Sequence, residues 1–349
     1  MDKTDIRSLY LDELEQIMSE MGEPRFRAGQ IFSWLQAGVE NFDEMTDIPA
    51  KLRVKLKESY YIVTVNIKKR LESDIDDTVK YLYEMHDGEL VESVLMKYNH
   101  GYSVCISTQV GCRMGCSFCA SGLNGLKRNL SASEMLAQIT AAQKDNGIRI
   151  SNVVLMGMGE PMDNLDNVIR FLKLVSHEKG LNIGLRHISV STSGVVTGIY
   201  RLLEEKMPIT LSISLHAPND EIRSSMMRVN KKWNIAELLK ACKDYIKATG
   251  RRISFEYAVV SGVNDSNENA HELARLLKGM LCHVNLIPVN PVKENSYKKP
   301  DRAKIEHFCK LLNSLGINTT IRRTLGSDID ASCGQLRGKA LEESNKSEH

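Results

Sequence analysis

The chain has 349 residues, more than the ~100–200 of a typical domain, which predicts one large core and a smaller module. Apolar residues make up 42% and charged residues 26%, values that exclude wholesale disorder and collagen-like repeats. The net charge is +2, no apolar run approaches the ~18 residues of a membrane span, and Met1-Asp2-Lys3-Thr4-Asp5 has no signal-peptide character, so a cytoplasmic, non-membrane protein is expected. Charge is unevenly spread. Residues 1–60 carry eight Lys/Arg against twelve Asp/Glu, a balance of −4 that leaves +6 on the remainder, which suits a polyanionic partner without requiring one.

Residues 8–58 read as short helices. Leu9, Leu11, Leu14, Ile17, Met18 and Met21 recur at helical spacing until Gly22 and Pro24 interrupt them. Ile31, Phe32, Trp34 and Leu35 form a second stripe, and Leu52, Val54 and Leu56 a third after Pro49. From 59 to 101 the period changes: Tyr61–Val65, Val79–Tyr83 and Val91–Leu95 resemble strands, with a hairpin turn at Asp87-Gly88. Beyond residue 102, β-rich apolar runs at 103–110, 151–156, 186–191, 209–215, 253–259 and 282–287 alternate with helical patterns at 131–144, 164–175, 234–248, 266–278 and 301–315. Six such repeats predict an α/β core with a parallel sheet, either doubly wound or curved into an incomplete barrel. Its site belongs at the C-terminal strand ends. Residues 336–349 read as a polar tail.

Eight cysteines in a chain without a targeting signal argue for metal ligation or thiol chemistry over structural disulfides. Cys112, Cys116 and Cys119 form a CxxxCxxC directly after the first core run. A structural zinc normally takes four protein ligands, whereas a 4Fe-4S cluster held by three leaves one iron open to a substrate or cofactor. The alternatives are a zinc loop with a remote fourth ligand or buried free thiols. At the second strand end, Met156-Gly157-Met158-Gly159-Glu160-Pro161 allows close backbone approach, and Glu160 can accept hydrogen bonds from an amino group. Ser191, Ser214, His216 and Asn290 offer polar groups at further strand ends, although a lone histidine is more often structural.

The spacing of the three cysteines and their place after a barrel strand resemble the radical S-adenosylmethionine (SAM) superfamily. A narrower likeness comes from Gln109-Val110-Gly111-Cys112, Gly157-Met158-Gly159-Glu160-Pro161, Ser191-Thr192-Ser193-Gly194-Val195-Val196, Ser214-Leu215-His216-Ala217-Pro218-Asn219-Asp220 and Asp328-Ile329-Asp330-Ala331-Ser332-Cys333-Gly334-Gln335-Leu336. Together these resemble the RlmN/Cfr family of dual-specificity RNA methyltransferases from about residue 8 to 340. One departure is Ser332, where the family usually has alanine.

The resemblance implies a partial (β/α)6 barrel at 102–335, an RNA-docking helical domain at 1–58 and a short β extension at 59–101. It implies that Cys112, Cys116 and Cys119 hold one 4Fe-4S cluster, and that Gly159, Glu160, Ser191, Ser214, Leu215, His216 and Asn290 bind SAM. Cys333 would be methylated, Cys105 would resolve it through a transient disulfide, and Glu92 would accept a proton. The ring carbon of adenine is too poor a nucleophile to take a methyl group from SAM directly. In the implied cycle a first SAM methylates the Cys333 thiolate. A radical made from a second SAM then activates that methyl group for addition to the ring. Glu92 removes the ring proton and Cys105 attacks the Cys333 sulfur to release the RNA. Without the resemblance, Cys105 between Val104 and Ile106 reads as core and Glu92 as a solvent-facing strand residue. Cys242, Cys282 and Cys309 read as core cysteines.

The implied substrates are 23S ribosomal RNA, at adenosine 2503 C2, and adenosine 37 of some transfer RNAs. A reductant such as flavodoxin or ferredoxin and a monomeric state are also implied. Lys127, Arg128, Arg223, Arg228, Lys231, Lys232, Arg251, Arg252, Arg322 and Arg323 lie near junctions where they can meet phosphates or remain solvated surface charges. Phe118 and Trp233 are either stacking surfaces for a flipped base or core residues. Two other readings stay open: a C8 adenosine methyltransferase of the Cfr type, and a non-catalytic RNA-binding iron–sulfur protein.

Overall fold

The computed structural model describes residues 3–289 and 297–329. The chain enters through β1 (Thr4–Asp5), α1 (Leu11–Glu20), α2 (Phe26–Ala37) and α3 (Ala50–Ser59), and β2 (Tyr60–Tyr61) pairs in parallel with β1. Leu52 and Leu56 are buried one helical turn apart, whereas Val54 between them turns outward and is 56% exposed. These helices build no separate core. One continuous cluster of buried apolar side chains runs from Ile6 and Leu14 through the sheet to Leu312 and Ile317.

The sheet has ten strands in the order β14-β13-β12-β11-β10-β9-β6-β5-β4-β3. Its antiparallel wing is β3 (Asn66–Glu72), β4 (Val79–Glu84) and β5 (Leu90–Tyr98), and β5 passes the sheet on to β6 (Gly101–Cys105). A separate antiparallel ribbon, β7 (Gln109–Gly111) with β8 (Leu126–Asn129), brackets the cysteine loop. After it come β9 (Ile150–Leu155), parallel to β6, and then β10 (Ile188–Thr192), β11 (Thr210–Ser214), β12 (Ile253–Val259), β13 (Cys282–Pro288) and β14 (Thr319–Ile321), each parallel to its predecessor. The six expected repeats are therefore β6 and β9–β13, with β14 as an added seventh parallel strand.

The crossovers contain α4 (Ala132–Asn146), α5 (Leu165–Val175), α6 (Val196–Glu204), α7 (Asp220–Met226), α8 (Ile235–Thr249), α9 (Asn267–Leu277) and α10 (Arg302–Ser314). Their ends are encoded locally. Ser131 and Glu134 cap α4 reciprocally, the Glu134 carboxylate accepting from the Ser131 N–H at 2.9 Å, and such a cap contributes ~1 kcal/mol. The front helices dock on this layer. Arg7, only 2% exposed, donates to Thr140 Oγ1 at 2.8 Å, and Arg170 on α5 pairs with Glu13 at 2.6 Å.

Two local expectations are corrected. The run 103–110 is split, because Ser107 and Thr108 leave the sheet: Ser107 Oγ donates to the Glu92 carbonyl at 2.6 Å and the Thr108 N–H donates to the Met158 carbonyl at 2.8 Å. The strand anticipated at 61–65 lies instead at 66–72, a polar edge whose Lys68, Lys69 and Arg70 discourage further pairing. Among the described residues β14 and β3 do not pair, so the sheet is open. A strap joins its two edges. Past β14, the Gly326 N–H donates to Asp76 at 3.0 Å, and Asp328 accepts from Ser73 Oγ at 2.7 Å and the Asp74 N–H at 2.8 Å, all in the β3–β4 turn.

Candidate active site

The cysteine loop is fixed by backbone contacts at both ends. The Cys112 N–H donates to the Gly125 carbonyl at 3.0 Å, and the Ser117 N–H donates to the Met226 carbonyl of α7 at 2.9 Å. Gly111 has φ 79°, and a Cβ there would lie 2.0 Å from the Gly125 oxygen, so this approach requires glycine. Cys112, Cys116 and Cys119 all line one cavity of about 380 Å³ at the C-terminal ends of the parallel strands. Burial pushes the Cys112 thiol up to about 12 and raises Cys116 as well, so both are protonated at neutral pH until a metal displaces the protons. Among the described residues, no three His, Cys, Asp or Glu side chains converge on one ion, so no closed mononuclear site is preassembled.

The opposite wall comes from β9–β12. Gly159 has φ 106°, and a Cβ on it would stand 2.7 Å from that of Gln109, which explains how the turn lies flat against the Thr108-Gln109 backbone. Glu160 is 3% exposed and accepts from the Ser193 N–H at 2.7 Å and the Met162 N–H at 3.1 Å, while burial pushes its carboxyl up. Ser191 and Ser214 line the same cavity. His216 takes the left-handed conformation, φ 58°, and its Nδ1 accepts from the Ala258 N–H at 2.9 Å. A ring nitrogen that accepts leaves the proton on Nε2. Burial, then the charge of Arg223, pushes this imidazole down to about 3, so it is neutral. Phe118 meets its edge at 4.8 Å and also lines the cavity. The Leu215 side chain is fully buried in the core, which leaves only its backbone for a ligand.

The third wall belongs to the wing. Cys105 lies opposite Val94 on β5, and both line the cavity with Met96, Tyr98 and Leu325 of the strap. Alternation puts Glu92 on the same strand face as Val94 and Met96. Glu92 is not solvent-facing: it is completely buried and pairs with the equally buried Lys80 at 3.0 Å. Asn290 and Cys333 lie outside the described residues.

Residues 106–274 match the radical SAM superfamily, and residues 4–62 match the ribosomal RNA large subunit methyltransferase N-terminal domain. A protein of Alkaliphilus oremlandii named as a probable dual-specificity RNA methyltransferase RlmN is 56% identical over 98% of this chain and 100% of its own. The chain belongs to the RlmN family. A second RlmN, from Clostridium novyi, is 56% identical over 95% of this chain and 97% of its own. A radical SAM methyltransferase from Sphaerobacter thermophilus superposes with a TM-score of 0.91 at 44% identity, over 95% of this chain and 98% of that one. An RlmN-type chain is a radical SAM enzyme that uses a 4Fe-4S cluster and SAM. The donor set here fits: three thiols share one cavity wall, facing polar strand ends with room for a small ligand between.

In this RlmN-type chain the sequence reading missed two buried carriers of charge, one of them in the cavity wall. Glu256 lies in the cavity wall, 4% exposed, held by Ser254 Oγ at 2.9 Å and Asn285 Nδ2 at 2.8 Å. Lys80 is the other. In both cases the signal is a charge inside an apolar β run, Ile253–Val259 and Val79–Tyr83. Among the basic residues, Arg322 and Arg323 line the cavity. Arg128 is occupied by Glu134 and Asp87. Arg223 is a correction, because it is fully buried and cannot meet a phosphate from solution.

Proposed function

We propose that the protein methylates C2 of adenosine, at position 2503 of 23S ribosomal RNA and at position 37 of some transfer RNAs. One observation carries this reading: a single cavity is walled by the three-cysteine loop on one side and by Cys105 on another. Radical generation and thiol chemistry therefore share one space. Cys112, Cys116 and Cys119 would hold the cluster, and the Gly159-Glu160 turn, Ser191, Ser214, the Leu215 backbone, His216 and Asn290 would hold SAM. When bound, the two supply a methyl group and the one-electron chemistry that makes it reactive.

The chain's own residues do the rest. Cys333 carries the methyl group as a thioether, because a sulfur nucleophile can accept it where adenine carbon cannot. Glu92 accepts the proton that leaves the ring carbon, and its pairing with Lys80 fixes its position. With that proton one electron also leaves, to the redox partner. Cys105 thiolate then attacks the Cys333 sulfur, and the sulfur–carbon bond breaks. The carbon left on the ring takes up a proton to become the methyl group, and the disulfide formed is reduced by a protein or small-molecule thiol. Arg322 and Arg323 at the rim are suited to phosphate contact. For the front helices we favour bracing over RNA docking: Arg25, Lys55 and Lys57 are paired with Glu15, Glu23 and Asp43, and the helices share the main core.

Anaerobic reconstitution followed by mass spectrometry of a ribosomal RNA fragment tests the proposal. The expected product is 2-methyladenosine, with 5′-deoxyadenosine released from SAM. Finding only 8-methyladenosine would transfer the protein to the C8 reaction, and a cluster-loaded protein that produced no 5′-deoxyadenosine would not be a catalyst of this kind.

A further inference from the structure

We infer that Ser73 and Asp76 of the β3–β4 turn and Asp328 of the strap form a clasp, and that these positioning residues set the reach of Cys333. The inference rests on the proposed role of Cys333 as the methyl carrier. The clasp joins the two edges of the open sheet. Asp328 accepts from Ser73 Oγ at 2.7 Å through one carboxylate oxygen and from the Asp74 N–H at 2.8 Å through the other. Asp76 accepts in return from the Gly326 N–H at 3.0 Å. The turn holds its partners in fixed directions. Ser73 Oγ accepts from the Ile75 and Asp76 N–H groups, each at 3.2 Å, and the second Asp76 oxygen accepts from the Thr78 N–H at 3.0 Å. Bonds to a carboxylate are roughly twice as strong as neutral ones, and here a carboxylate serves in each direction across the seam.

Between β14 and the clasp the strap faces the site. Arg322, Arg323, Thr324 and Leu325 line the cavity, and Leu325 packs against the cluster of Val94, Met96 and Cys105. The strap is therefore anchored twice: the Arg322 N–H donates to the Leu286 carbonyl at 2.8 Å, and Asp328 holds the turn. Cys333 follows Asp328 by five residues. A chain of that length spans at most about 18 Å. Without the clasp the last backbone anchor is Arg322, eleven residues from Cys333, and the reach grows to about 40 Å. The effective concentration of a tethered group falls roughly as the −3/2 power of tether length, so this change dilutes the Cys333 thiol about threefold. The clasp thus keeps the carrier close to the cavity that Cys105 lines.

The test is a single-turnover assay of methyl transfer from labelled SAM to Cys333 in the anaerobically reconstituted full chain, read by mass spectrometry. Iron content, SAM affinity and limited trypsin digestion are measured in parallel. Asp328→Ala removes two of the three clasp bonds. It should methylate Cys333 about threefold more slowly than the wild type, or slower still. Trypsin should cut sooner after Arg322 and Arg323, while iron content and SAM affinity stay unchanged. Ser73→Ala should act in the same direction, and Ser73→Thr, which keeps the hydroxyl, should match the wild type. If Asp328→Ala takes up no cluster, Ser73→Ala is assayed in its place. Wild-type methylation by a cluster-loaded clasp variant overturns the inference, and so does a slowing matched by an equal loss of SAM affinity. A wild-type chain that loads its cluster and SAM but never methylates Cys333 would instead overturn the proposed carrier, and this inference with it.

Discussion

The parallel half of the sheet and its antiparallel wing build the same cavity in different ways. In the parallel half, β6 and β9–β14 all point one way, so their C-terminal ends converge and the turns beyond them make the wall. Short polar side chains suffice there: Ser191, Ser214, His216 and the Glu160 turn. In the wing the strands alternate in direction, and the wall is a strand face, with Val94, Met96 and Tyr98 spaced by two residues. The two halves also treat buried charge differently. The wing buries Lys80 and Glu92 as an ion pair. The parallel half buries a neutral imidazole and an arginine that, among the described residues, forms no ion pair with a carboxylate. The strand-end wall offers short polar groups to a ligand, and the strand-face wall offers apolar side chains and the Cys105 thiol.

The largest effects should come from separating the thiols. Cys333→Ala removes the proposed methyl carrier, so neither protein-bound methyl nor RNA product should form. Cys105→Ala, at the seam between the halves, should permit addition to RNA but prevent release, and protein purified from cells should run on a denaturing gel as an RNA adduct. If Cys105 were only packing, the same variant would lose ~1 kcal/mol of stability and turn over normally. RNA-free Cys105→Ala protein with normal turnover would assign the wing a structural role alone.

The next effect tests whether the wing's ion pair is a unit. Lys80→Met leaves the Glu92 carboxylate buried without its cation, and breaking such a pair costs about 3–5 kcal/mol. Urea unfolding should show this loss, and Lys80→Met combined with Glu92→Leu should recover most of it. RNA methylation should remain absent in the recovered double variant, because the proposed proton acceptor is gone. Wild-type methylation by that stable double variant would remove Glu92 from the chemistry.

The parallel half was legible in the sequence because each of its features is local. An apolar run, a turn with glycine and a capped helix repeat in order, and CxxxCxxC needs no tertiary partner to be recognised. Three parts were not legible. β3 is mostly polar, with Ile67 and Leu71 as its only apolar residues, so this edge strand has no apolar alternation to read. The split at Ser107 depends on bonds to Glu92 and Gln138, residues 15 and 31 positions away. Arg223 looked like a surface charge because its four acceptors come from three separate segments and nothing around Asp220–Met226 signals burial. Local pattern gave Glu92 its strand but not its partner, and Lys80 on the neighbouring strand decides that it faces inward.

The smallest effect concerns the neutral imidazole of the parallel half. Unfolded His216 binds a proton below about pH 6.5, whereas the folded side chain resists protonation until about 3. The unfolded state therefore gains protons first as pH falls, and this group's contribution is full above pH 6.5 and declines below it. At ~1.36 kcal/mol per pH unit, the loss between pH 6.5 and pH 5 is about 2 kcal/mol. Buried Glu160 and Glu256 act in the opposite sense, because their raised carboxyl groups bind protons more readily in the folded chain. They are common to the wild type and to His216→Gln, so the difference between the two proteins isolates the histidine. Urea unfolding at pH 7, 6 and 5 should show the wild type losing about 2 kcal/mol more than His216→Gln over that range. Equal losses would mean that folded His216 takes up its proton as easily as the unfolded one. The contrast between a wing that buries charge in pairs and a half that holds its imidazole neutral would then fail at its most specific point.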